Sequence, residues 1–563
     1  MKKLYIPLFI LLVAIVSCGQ DLEESPKKET LNRWKDQTIY FVMIDRFYDG
    51  DSDNNIQSTN MAMYGTGQGQ WSGGDFRGLI EKLDYIQDLG FTAIWITPPV
   101  LNQWWDETIP YGGFHGYWAS SFTNVDPHYG TLEEYKEFVQ ACHTRGMRVI
   151  QDIVCNHTAN YFSMDGEFGN LTINSNGYPM FPQEPFFSNS IMYYLANNPS
   201  SNEEIPDEYN AFHWTPDITD WNDWHQLTNY QASSLSDINT ENPLVLKYMK
   251  EWFGYWIYEV GIDGYRVDTM KNVPKWFWRE FTYSTDAEEP GIMEIARRAG
   301  KDDFIMIGEV HTPGDENEDA TAGGYTMDEE GNRIMDTVLY YPMFTVIQDV
   351  FSKGEATKKV KLLFDNLDGY YHPKSIDRLV TFIDNHDKTR FRAGNSRTKT
   401  ELALLFIYTT IGIPCVYYGT EQEMTITRPS MFEGGHQEDI EKKDYFIQDS
   451  HMYLFLKKLN SMRKKYEVLR RGDKNVVFWD DFGSGLLAFT RNYGEKKALV
   501  VFNTSADIKY AEKINTEFGS KVNLVNILDT KEKITTSSDG SISSTFKGNS
   551  CVILVPEDEY IKF

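Results

Sequence analysis

Eight short apolar runs between residues 38 and 419 limit the folds open to this chain more than any other feature. Each run has the length and the β-branched or aromatic content of a buried strand. Amphipathic stretches of helical spacing separate them, and two of these stretches end at Gly90 and Gly146, which suit a helix C-cap. Eight alternating strand and helix units predict an α/β fold, the (β/α)8 TIM barrel. The eight runs are TIYFVMIDRF, TAIWITP, MRVIQDIV, GIDGYRVD, FIMIGEV, DTVLYYPMF, RLVTFIDN and IPCVYYG.

Two segments depart from this alternation. Residues 158–234 are too many for a strand-to-helix loop and are rich in Asn, Pro, Phe and Trp, which predicts an inserted irregular subdomain after the third strand. Residues 466–563 contain short alternating runs broken by Gly, Asp and Asn, which predict a C-terminal antiparallel β-sandwich. The catalytic barrel is then expected in residues 31–157 and 235–465.

Residues 1–18 have the form of a lipoprotein signal peptide, with a basic start and an apolar stretch too short to span a bilayer. The stretch closes on Ser17 and Cys18, which resembles the lipobox of bacterial lipoproteins and implies a lipid anchor on Cys18. Residues 19–30 predict a flexible tether whose acidic run resembles the surface-export signal of some outer-membrane lipoproteins. We therefore predict an exported lipoprotein of the outer membrane, with exposure on the cell surface as a further hypothesis. A plain secretory signal with an incidental cysteine is the alternative.

The net charge and the spacing of the other cysteines exclude two kinds of ligand, nucleic acid and zinc. A net charge of −28 excludes a nucleic-acid partner, because a polyanion would be repelled and no basic stripe offsets the acidity. A neutral polymer would feel no such repulsion. The remaining cysteines have no spacing typical of a zinc site and are expected to be buried thiols: Cys142, Cys155, Cys415 and Cys551.

Three acidic residues, Asp268, Glu309 and Asp387, each lie at or next to the end of a strand-like run. In a parallel barrel the C-terminal ends of the strands meet at one mouth, so these carboxylates are expected to converge there. Acetal cleavage needs such a set, because one carboxylate can attack the anomeric carbon while a second donates a proton to the departing oxygen. The pattern therefore predicts glycosidic chemistry. Three unrelated acids at strand ends are the alternative.

The segments around these acids look like the four hallmark blocks of the α-amylase superfamily of retaining glycoside hydrolases. In order, they are DIVCNH, GYRVDTMKN, GEV and FIDNHD, and lesser blocks GFTAIWITP, LSDIN and GIPCVYYGTEQ agree. The resemblance, which covers residues 38–422, is to the α-amylases of this family and, with the lipobox, to a bacterial lipoprotein of this kind. It implies cleavage of internal α-1,4-glucosidic bonds of starch-like glucans by double displacement, with an α-glucan polysaccharide or oligosaccharide as partner.

The resemblance also implies a role for each acid: Asp268 as nucleophile, Glu309 as general acid and base, and Asp387 as the carboxylate that holds the sugar hydroxyls. Arg266 lies two residues before Asp268 and so on the same strand face, where it could keep the nucleophile ionised. The expected substrate-binding residues are His115, Tyr117, His157, Arg266, Lys271 and His386.

Several aromatic residues are candidates for stacking on sugar rings, and one residue near the site departs from the family pattern. Tyr117 is the expected stacking platform for a sugar ring. Asn272 stands where amylases usually carry a histidine, so the bond preference on the leaving-group side does not carry over. Six tryptophans could extend the stacking surface, although core packing is favoured for each: Trp104, Trp105, Trp118, Trp214, Trp221 and Trp224.

The loop DGDSDNN after the first strand clusters oxygen ligands that suit calcium. It is not an EF-hand, because Asn54 and Asn60 replace the required Gly and Glu. A resemblance to cyclodextrin-forming relatives implies a calcium site, and the family implies a second one at Asn156 and Asp237 with the Asn272 carbonyl. A turn held by Asx hydrogen bonds is the alternative for the first loop. The expected ligands of the first site are Asp49, Asp51, Asn54, Asn55, Gly73 and Asp75.

Two other functions compete with an α-amylase-like hydrolase. A neopullulanase or cyclomaltodextrinase-like enzyme usually carries an extra N-terminal β-domain, and only a short tether precedes the first strand here. A catalytically silent starch-binding lipoprotein would keep the barrel as a scaffold, and the complete set of three acids argues against it. Release of reducing sugar from soluble starch separates these classes.

Overall fold

A computed structural model of the protein describes residues 33–107, 109–164, 171–173 and 211–563. The predicted signal peptide, the lipobox cysteine Cys18, the tether and much of the predicted insertion lie outside these residues. Within the described ranges, no helix has both the length and the apolar character needed to cross a membrane.

All eight predicted runs contain a strand of one parallel barrel. Its hydrogen-bonded order is β6-β5-β4-β3-β2-β1-β8-β7, and a parallel bridge between Leu339 and Val380 completes the ring. Nearly every strand residue is buried, as expected when helices cover the outside of a parallel sheet. The predicted (β/α)8 barrel is therefore confirmed. The strands are β1 (Ile39–Val42), β2 (Ala93–Ile96), β3 (Arg148–Val154), β4 (Gly264–Asp268), β5 (Ile305–Gly308), β6 (Thr337–Val338), β7 (Val380–Thr381) and β8 (Ile413–Tyr417).

Helices follow the strands and surround the barrel. Thr131 and Glu134 cap the start of α4 reciprocally, and Gly90 ends α3 in the left-handed conformation, with φ of 90°. The helices are α1 (Ile44–Phe47), α2 (Phe76–Glu81), α3 (Leu83–Leu89), α4 (Leu132–Thr144), α5 (Trp224–Asn229), α6 (Pro243–Glu259), α7 (Lys275–Tyr283), α8 (Ile292–Arg298), α9 (Glu318–Gly323), α10 (Tyr341–Ile347), α11 (Lys358–Tyr370), α12 (Pro373–Ile376), α13 (Phe391–Gly394), α14 (Arg397–Thr409), α15 (His451–Lys465) and α16 (Glu467–Arg471).

The connection from β3 to α6 spans residues 155–242, a length that agrees with the predicted insertion. Its described parts include an antiparallel pair, Phe162–Met164 with Leu171–Ile173, and α5. Bridges from His157 to Asp237 and from Phe212 to Ile238 bring the two ends of the connection together beside the barrel. A second small pair, Trp105–Asp106 with Tyr111–Gly112, follows β2.

The C-terminal segment forms two antiparallel sheets, as predicted. Six strands pair in the order β9-β10-β11-β16-β13-β14, and β12 pairs with β15. The strands are β9 (Asn475–Trp479), β10 (Leu486–Tyr493), β11 (Lys496–Asn503), β12 (Lys509–Asn515), β13 (Asn523–Asn526), β14 (Lys533–Thr535), β15 (Ser541–Phe546) and β16 (Ser550–Pro556).

Alternate residues of the larger sheet serve two different cores. Leu486 and Val501 point into the sandwich, whereas Phe489 and Phe502 belong to the main core with the barrel helices. The Phe502 ring lies 5.9 Å from that of Phe406 on α14. The sheet is therefore covered on both faces. Of the four described cysteines, all unpaired, three are buried as expected and Cys551 is half-buried.

Replacing Phe502 by alanine should lower the free energy of unfolding by about 3–5 kcal/mol, because it opens a cavity between the sandwich and the barrel. Phe482→Ala is the matched control, since this ring is 92% exposed and its loss should change stability by less than about 0.5 kcal/mol. Chemical denaturation of both variants measures the difference. Equal losses in the two variants would contradict this packing.

Candidate active site

The register of three adjacent strands brings the acidic residues together. Asp152 on β3 pairs with Arg266 on β4, and Val267 pairs with Gly308 on β5. Asp268 and Glu309, each one position further along, therefore lie side by side at the C-terminal edge, where strands are about 4.8 Å apart. The predicted convergence of these two carboxylates at one mouth is present in the fold.

The Arg266 guanidinium connects the carboxylates of this site. It is fully buried, and its Nη1 donates to Asp268 Oδ1 at 2.8 Å and to both oxygens of Asp152 at 3.0 and 3.1 Å. Its Nη2 lies 2.6 Å from Glu309 Oε2. The expected contact between Arg266 and Asp268 is present, and one guanidinium also serves two further carboxylates.

Asp152 is a supporting residue that the sequence analysis did not select as a site residue. Its Oδ2 accepts hydrogen bonds from Trp95 Nε1 at 3.1 Å and from the Tyr117 hydroxyl at 2.8 Å. Both of its oxygens are thus engaged, which fixes the position of Arg266 and ties the ring of Tyr117 to the site.

The pKa values of the neighbouring Asp268 and Glu309 carboxyl groups are shifted in opposite directions. Burial raises the pKa of the Asp268 carboxyl well above its usual range, and the Arg266 guanidinium only partly offsets this. Burial acts in the same direction on Glu309, but the guanidinium and the Thr269 N–H outweigh it, so the Glu309 pKa is lowered. In this arrangement the proton of the pair favours Asp268, whereas the sequence analysis expected it on Glu309.

Two donors orient Glu309. The Tyr341 hydroxyl donates to Oε1 at 3.0 Å, and the Thr269 N–H donates to Oε2 at 3.2 Å from a left-handed backbone with φ of 44°. Tyr341 in turn accepts from Asn385 Nδ2 at 3.1 Å and stacks on His311 at 4.1 Å. A backbone conformation unusual for threonine is thus maintained where its N–H reaches the carboxylate.

Asp387 lies at the mouth of the site, with 40% of its side chain exposed. Arg428 Nη2 donates to its Oδ1 at 2.9 Å, and His386 Nε2 lies 3.1 Å from its Oδ2. Tyr117 stacks on His386 with ring centroids 5.2 Å apart and on His115 at 5.7 Å. The exposed carboxylate therefore lies beside a wall of aromatic and imidazole rings.

The three predicted histidines are uncharged at neutral pH. Burial lowers the pKa of His157 to about 4. Burial, helped by the charge of Arg428, also lowers the pKa values of His115 and His386 well below the usual range. Neutral imidazoles can both donate and accept hydrogen bonds, which suits sugar hydroxyls.

Lys271 and Asn272 lie in the turn that follows β4 and connects the site to the insertion. Burial lowers the pKa of Lys271, and its Nζ lies 5.8 Å from the centroid of the Trp221 ring. Asn272 Nδ2 donates to the Leu227 carbonyl at 3.1 Å, so the residue that departs from the family pattern ties this turn to α5.

The six tryptophans divide into two groups. Trp104, Trp105, Trp118 and Trp214 are partly buried and pack against the main core, as favoured by the sequence analysis. Trp221 and Trp224 are 50% and 52% exposed, so core packing was the wrong expectation for these two. Trp224 begins α5 and Trp221 lies just before it, in the connection from β3 to α6.

The loop after β1 has oxygen atoms that fit a cation. The side-chain Oδ1 atoms of Asn54 and Asn55 are buried and have no hydrogen-bond partner. A Cβ added to Gly73 would lie only 2.6 Å from Asn55 Oδ1, so the glycine leaves space beside this oxygen. Asp49 accepts from Asn55 Nδ2 at 2.7 Å, which keeps the amide oxygen turned away from it. The predicted loop thus assembles unsatisfied hard oxygens.

Asp75 does not present free oxygens to that loop. Its Oδ1 accepts from the N–H groups of Gly50 and Gly78, and its Oδ2 accepts from the Asp51 N–H and Asn54 Nδ2. Asp75 therefore caps α2 and organises the loop. Asp51 itself accepts from the Asp53 N–H, as in an Asx turn.

The second predicted pair, Asn156 and Asp237, meets where the insertion joins the barrel. The Ile238 N–H donates to the Asn156 carbonyl at 2.9 Å, and Asp237 Oδ2 lies 2.7 Å from His213 Nδ1. Among the described residues, no group of three or more His, Cys, Asp or Glu side chains could hold a metal ion. Any cation at either place would need amide and backbone oxygens as well.

Three further site residues, which the sequence analysis missed, share a position relative to the barrel strands. Tyr341, Asn385 and Arg428 all follow a barrel strand on its C-terminal side. A search of every strand-to-helix connection for polar side chains would have included Tyr341 and Asn385, which lie within a few residues of β6 and β7. Arg428 is further from β8 and is identified only by its contact with Asp387.

The chain belongs to the α-amylase family, because the model for the alpha amylase catalytic domain matches residues 41–445. It is similar to the β/α-amylase of Paenibacillus polymyxa, with 30% identity over 506 residues. That match covers 86% of this chain and 35% of the relative, so the chain spans about a third of the length of this curated relative.

Two solved structures are also similar to the chain. An Anoxybacillus α-amylase has 28% identity and a TM-score of 0.71, and the match covers 93% of this chain and 98% of that chain. A cyclomaltodextrin glucanotransferase described as having a three-domain distribution has 26% identity and a TM-score of 0.72, with 92% and 99% covered. The fold is thus shared by a hydrolase and a transferase.

Replacing Tyr341 by phenylalanine should raise the pKa of the Asp268 and Glu309 pair, because the Glu309 carboxylate loses a hydrogen-bond donor. A hydrogen bond to a charged group is worth about 1.5–3 kcal/mol, so the alkaline limb of kcat/KM on an α-glucan should move up by about one pH unit. The matched control is Tyr340→Phe, whose hydroxyl faces Asp319 instead. An unchanged pH profile in Tyr341→Phe would contradict this role.

Proposed function

We propose that the protein hydrolyses internal α-1,4-glucosidic bonds of starch-like glucans with retention of configuration. The observation that supports this best is the buried Arg266 guanidinium bonded to both Asp268 and Glu309 on adjacent strands. A retaining mechanism uses carboxyl groups about 5 to 5.5 Å apart, and two carboxylates bonded to one guanidinium lie side by side.

In this proposal Asp268 attacks the anomeric carbon while Glu309 donates a proton to the departing glycosidic oxygen. A covalent glycosyl-enzyme forms, and the shortened chain leaves with the transferred proton. Glu309 then takes a proton from water, whose oxygen attacks the anomeric carbon and releases Asp268. Substrate contacts at Asp268 must first move the proton of the pair to Glu309.

The other site residues would hold the sugar. Asp387, exposed at the mouth, would accept hydrogen bonds from ring hydroxyls, and Arg428 pairs with its Oδ1. His386, which lies beside Asp387, and His157 would act as neutral hydrogen-bond donors. Tyr117 offers a ring face for stacking, and its hydroxyl is held by Asp152.

We further propose calcium as a structural cofactor of the loop after β1. Asn54, Asn55 and Asp49 would hold the ion with backbone carbonyls, whereas Asp75 supports the loop through its accepted N–H groups. The ion would cross-link the loop to the segment containing Gly73 and take no part in bond cleavage. Asn156 and Asp237 are the candidates for a second ion.

Transfer of the glycosyl group to another sugar is the second candidate function. A cyclomaltodextrin glucanotransferase with a three-domain distribution matches 92% of this chain, which supports glycosyl transfer as an alternative to hydrolysis. Products distinguish the two activities, because a hydrolase releases new reducing ends whereas cyclisation releases none. Pullulan and cyclodextrins as substrates separate the neopullulanase and cyclomaltodextrinase alternative in the same assay.

Asp268→Ala and Glu309→Gln should each lower turnover on soluble starch by at least about a thousandfold while the fold is retained, because each removes one of two steps without a substitute. Asp302→Ala is the control, since this exposed carboxylate precedes β5 at the opposite end of the barrel. Reducing-sugar release measures turnover. Near-normal turnover in either purified catalytic variant would refute the proposed function.

Removal of calcium should lower the melting temperature, since a ligand that binds only the folded state adds about 2.7 kcal/mol at a hundredfold excess over Kd. Added calcium should restore the temperature, and magnesium should do so poorly, because it demands a tighter octahedral site. The informative variant is Asp49→Ala combined with Asn55→Ala, and Asn60→Ala in the same loop is its control. An undiminished calcium response in the double variant would show that this loop holds no ion.

A further inference from the structure

The exposed tryptophans of this protein are concentrated in one region. All 14 tryptophans lie in the described residues, and three are more than a third exposed: Trp221 at 50%, Trp224 at 52% and Trp276 at 47%. Single exposed rings are common on proteins, whereas a cluster of exposed apolar side chains marks a binding surface. Their concentration near α5 and the start of α7 marks a surface beyond the catalytic site.

Trp224 and Trp276 line an open groove of about 640 Å³, which we call the aromatic groove. Thr228 and Pro274 form part of its apolar lining, and Lys275 adds a polar group. A second groove of about 450 Å³ shares Trp276 and Lys275 with it and extends to Tyr370, which is 39% exposed. Aromatic rings thus recur along an extended track, which suits a chain molecule better than a compact ligand.

The aromatic groove adjoins the catalytic site without sharing its residues. Lys271 and Asn272 follow Asp268 in the turn after β4. Lys271 approaches the ring of Trp221, and Asn272 holds α5 through the Leu227 carbonyl. A polymer that leaves the catalytic site past Lys271 would meet the exposed tryptophans next.

We propose that the aromatic groove binds a segment of an α-glucan chain outside the catalytic site. Glucose rings present apolar faces that stack on indole, and their hydroxyl edges can bond to polar side chains such as His225 and Lys275. The ligand is uncharged, so the net charge of −28 does not repel it. The inference rests on the proposed function, because its ligand is the same polymer.

The test measures binding separately from catalysis. Trp224→Ala combined with Trp276→Ala is placed in an Asp268→Ala background, so that the polymer stays intact, and the Kd for amylopectin is measured by affinity electrophoresis. Loss of two stacking contacts should raise the Kd by about tenfold. Phe482→Ala in the same background is the control, since it removes an exposed ring in the β-sandwich and should leave the Kd unchanged.

Further variants and one assay separate the outcomes. Circular dichroism checks folding, and if the double variant does not fold, Trp276→Ala alone should still weaken binding while Trp224→Phe, which keeps a ring, should weaken it less. An unchanged Kd in a folded double variant or in Trp276→Ala would overturn the aromatic groove. Hydrolysis of maltoheptaose by the parent protein tests the proposed function independently, so that its failure is recognised separately from a failure of the groove.

Discussion

The buried charge of Arg266 is the constraint on which the rest of the site depends. A guanidinium without solvent is tolerated only if carboxylates and hydrogen bonds compensate it, and here Asp152, Asp268 and Glu309 do so together. Three carboxylates around one cation leave an excess of negative charge, which favours binding of one proton. The same interaction thus positions the two reactive groups and supplies the shared proton that general acid catalysis requires.

Backbone register makes this interaction possible. Neighbouring parallel strands place Asp152 beside Arg266 and Glu309 beside Asp268. A Cβ on Gly308, directly before Glu309, would lie 2.2 Å from the sulfur of Met270, so a larger residue there would displace the Met270 side chain. The barrel strands fix the positions of the carboxylates, whereas the connections after the strands supply side chains such as Tyr341 that hydrogen-bond to them. The larger sheet of the C-terminal sandwich packs one face against the barrel helices and the other into the sandwich core. Its described residues contribute to stability and supply none of the site side chains named above.

Much of the fold and the central acids followed from the sequence, because both depend on short-range patterns. A buried strand is a continuous apolar run, and a carboxylate directly after it is placed by the strand itself. The contact of Arg428 with Asp387 could not be predicted, because it joins residues 41 positions apart through an irregular connection. The exposure of Trp221 and Trp224 and the saturation of Asp75 by four N–H donors likewise depend on how irregular segments pack.

The central claim is that Asp268 and Glu309 act as a retaining pair, and the anomeric configuration of the first product tests it most directly. Proton NMR of maltoheptaose in the first minutes of hydrolysis, before mutarotation mixes the anomers, distinguishes the two outcomes. Double displacement predicts that the new reducing end appears as the α-anomer. Initial appearance of the β-anomer would contradict the account, because it requires direct attack by water across a wider separation of the two carboxyl groups.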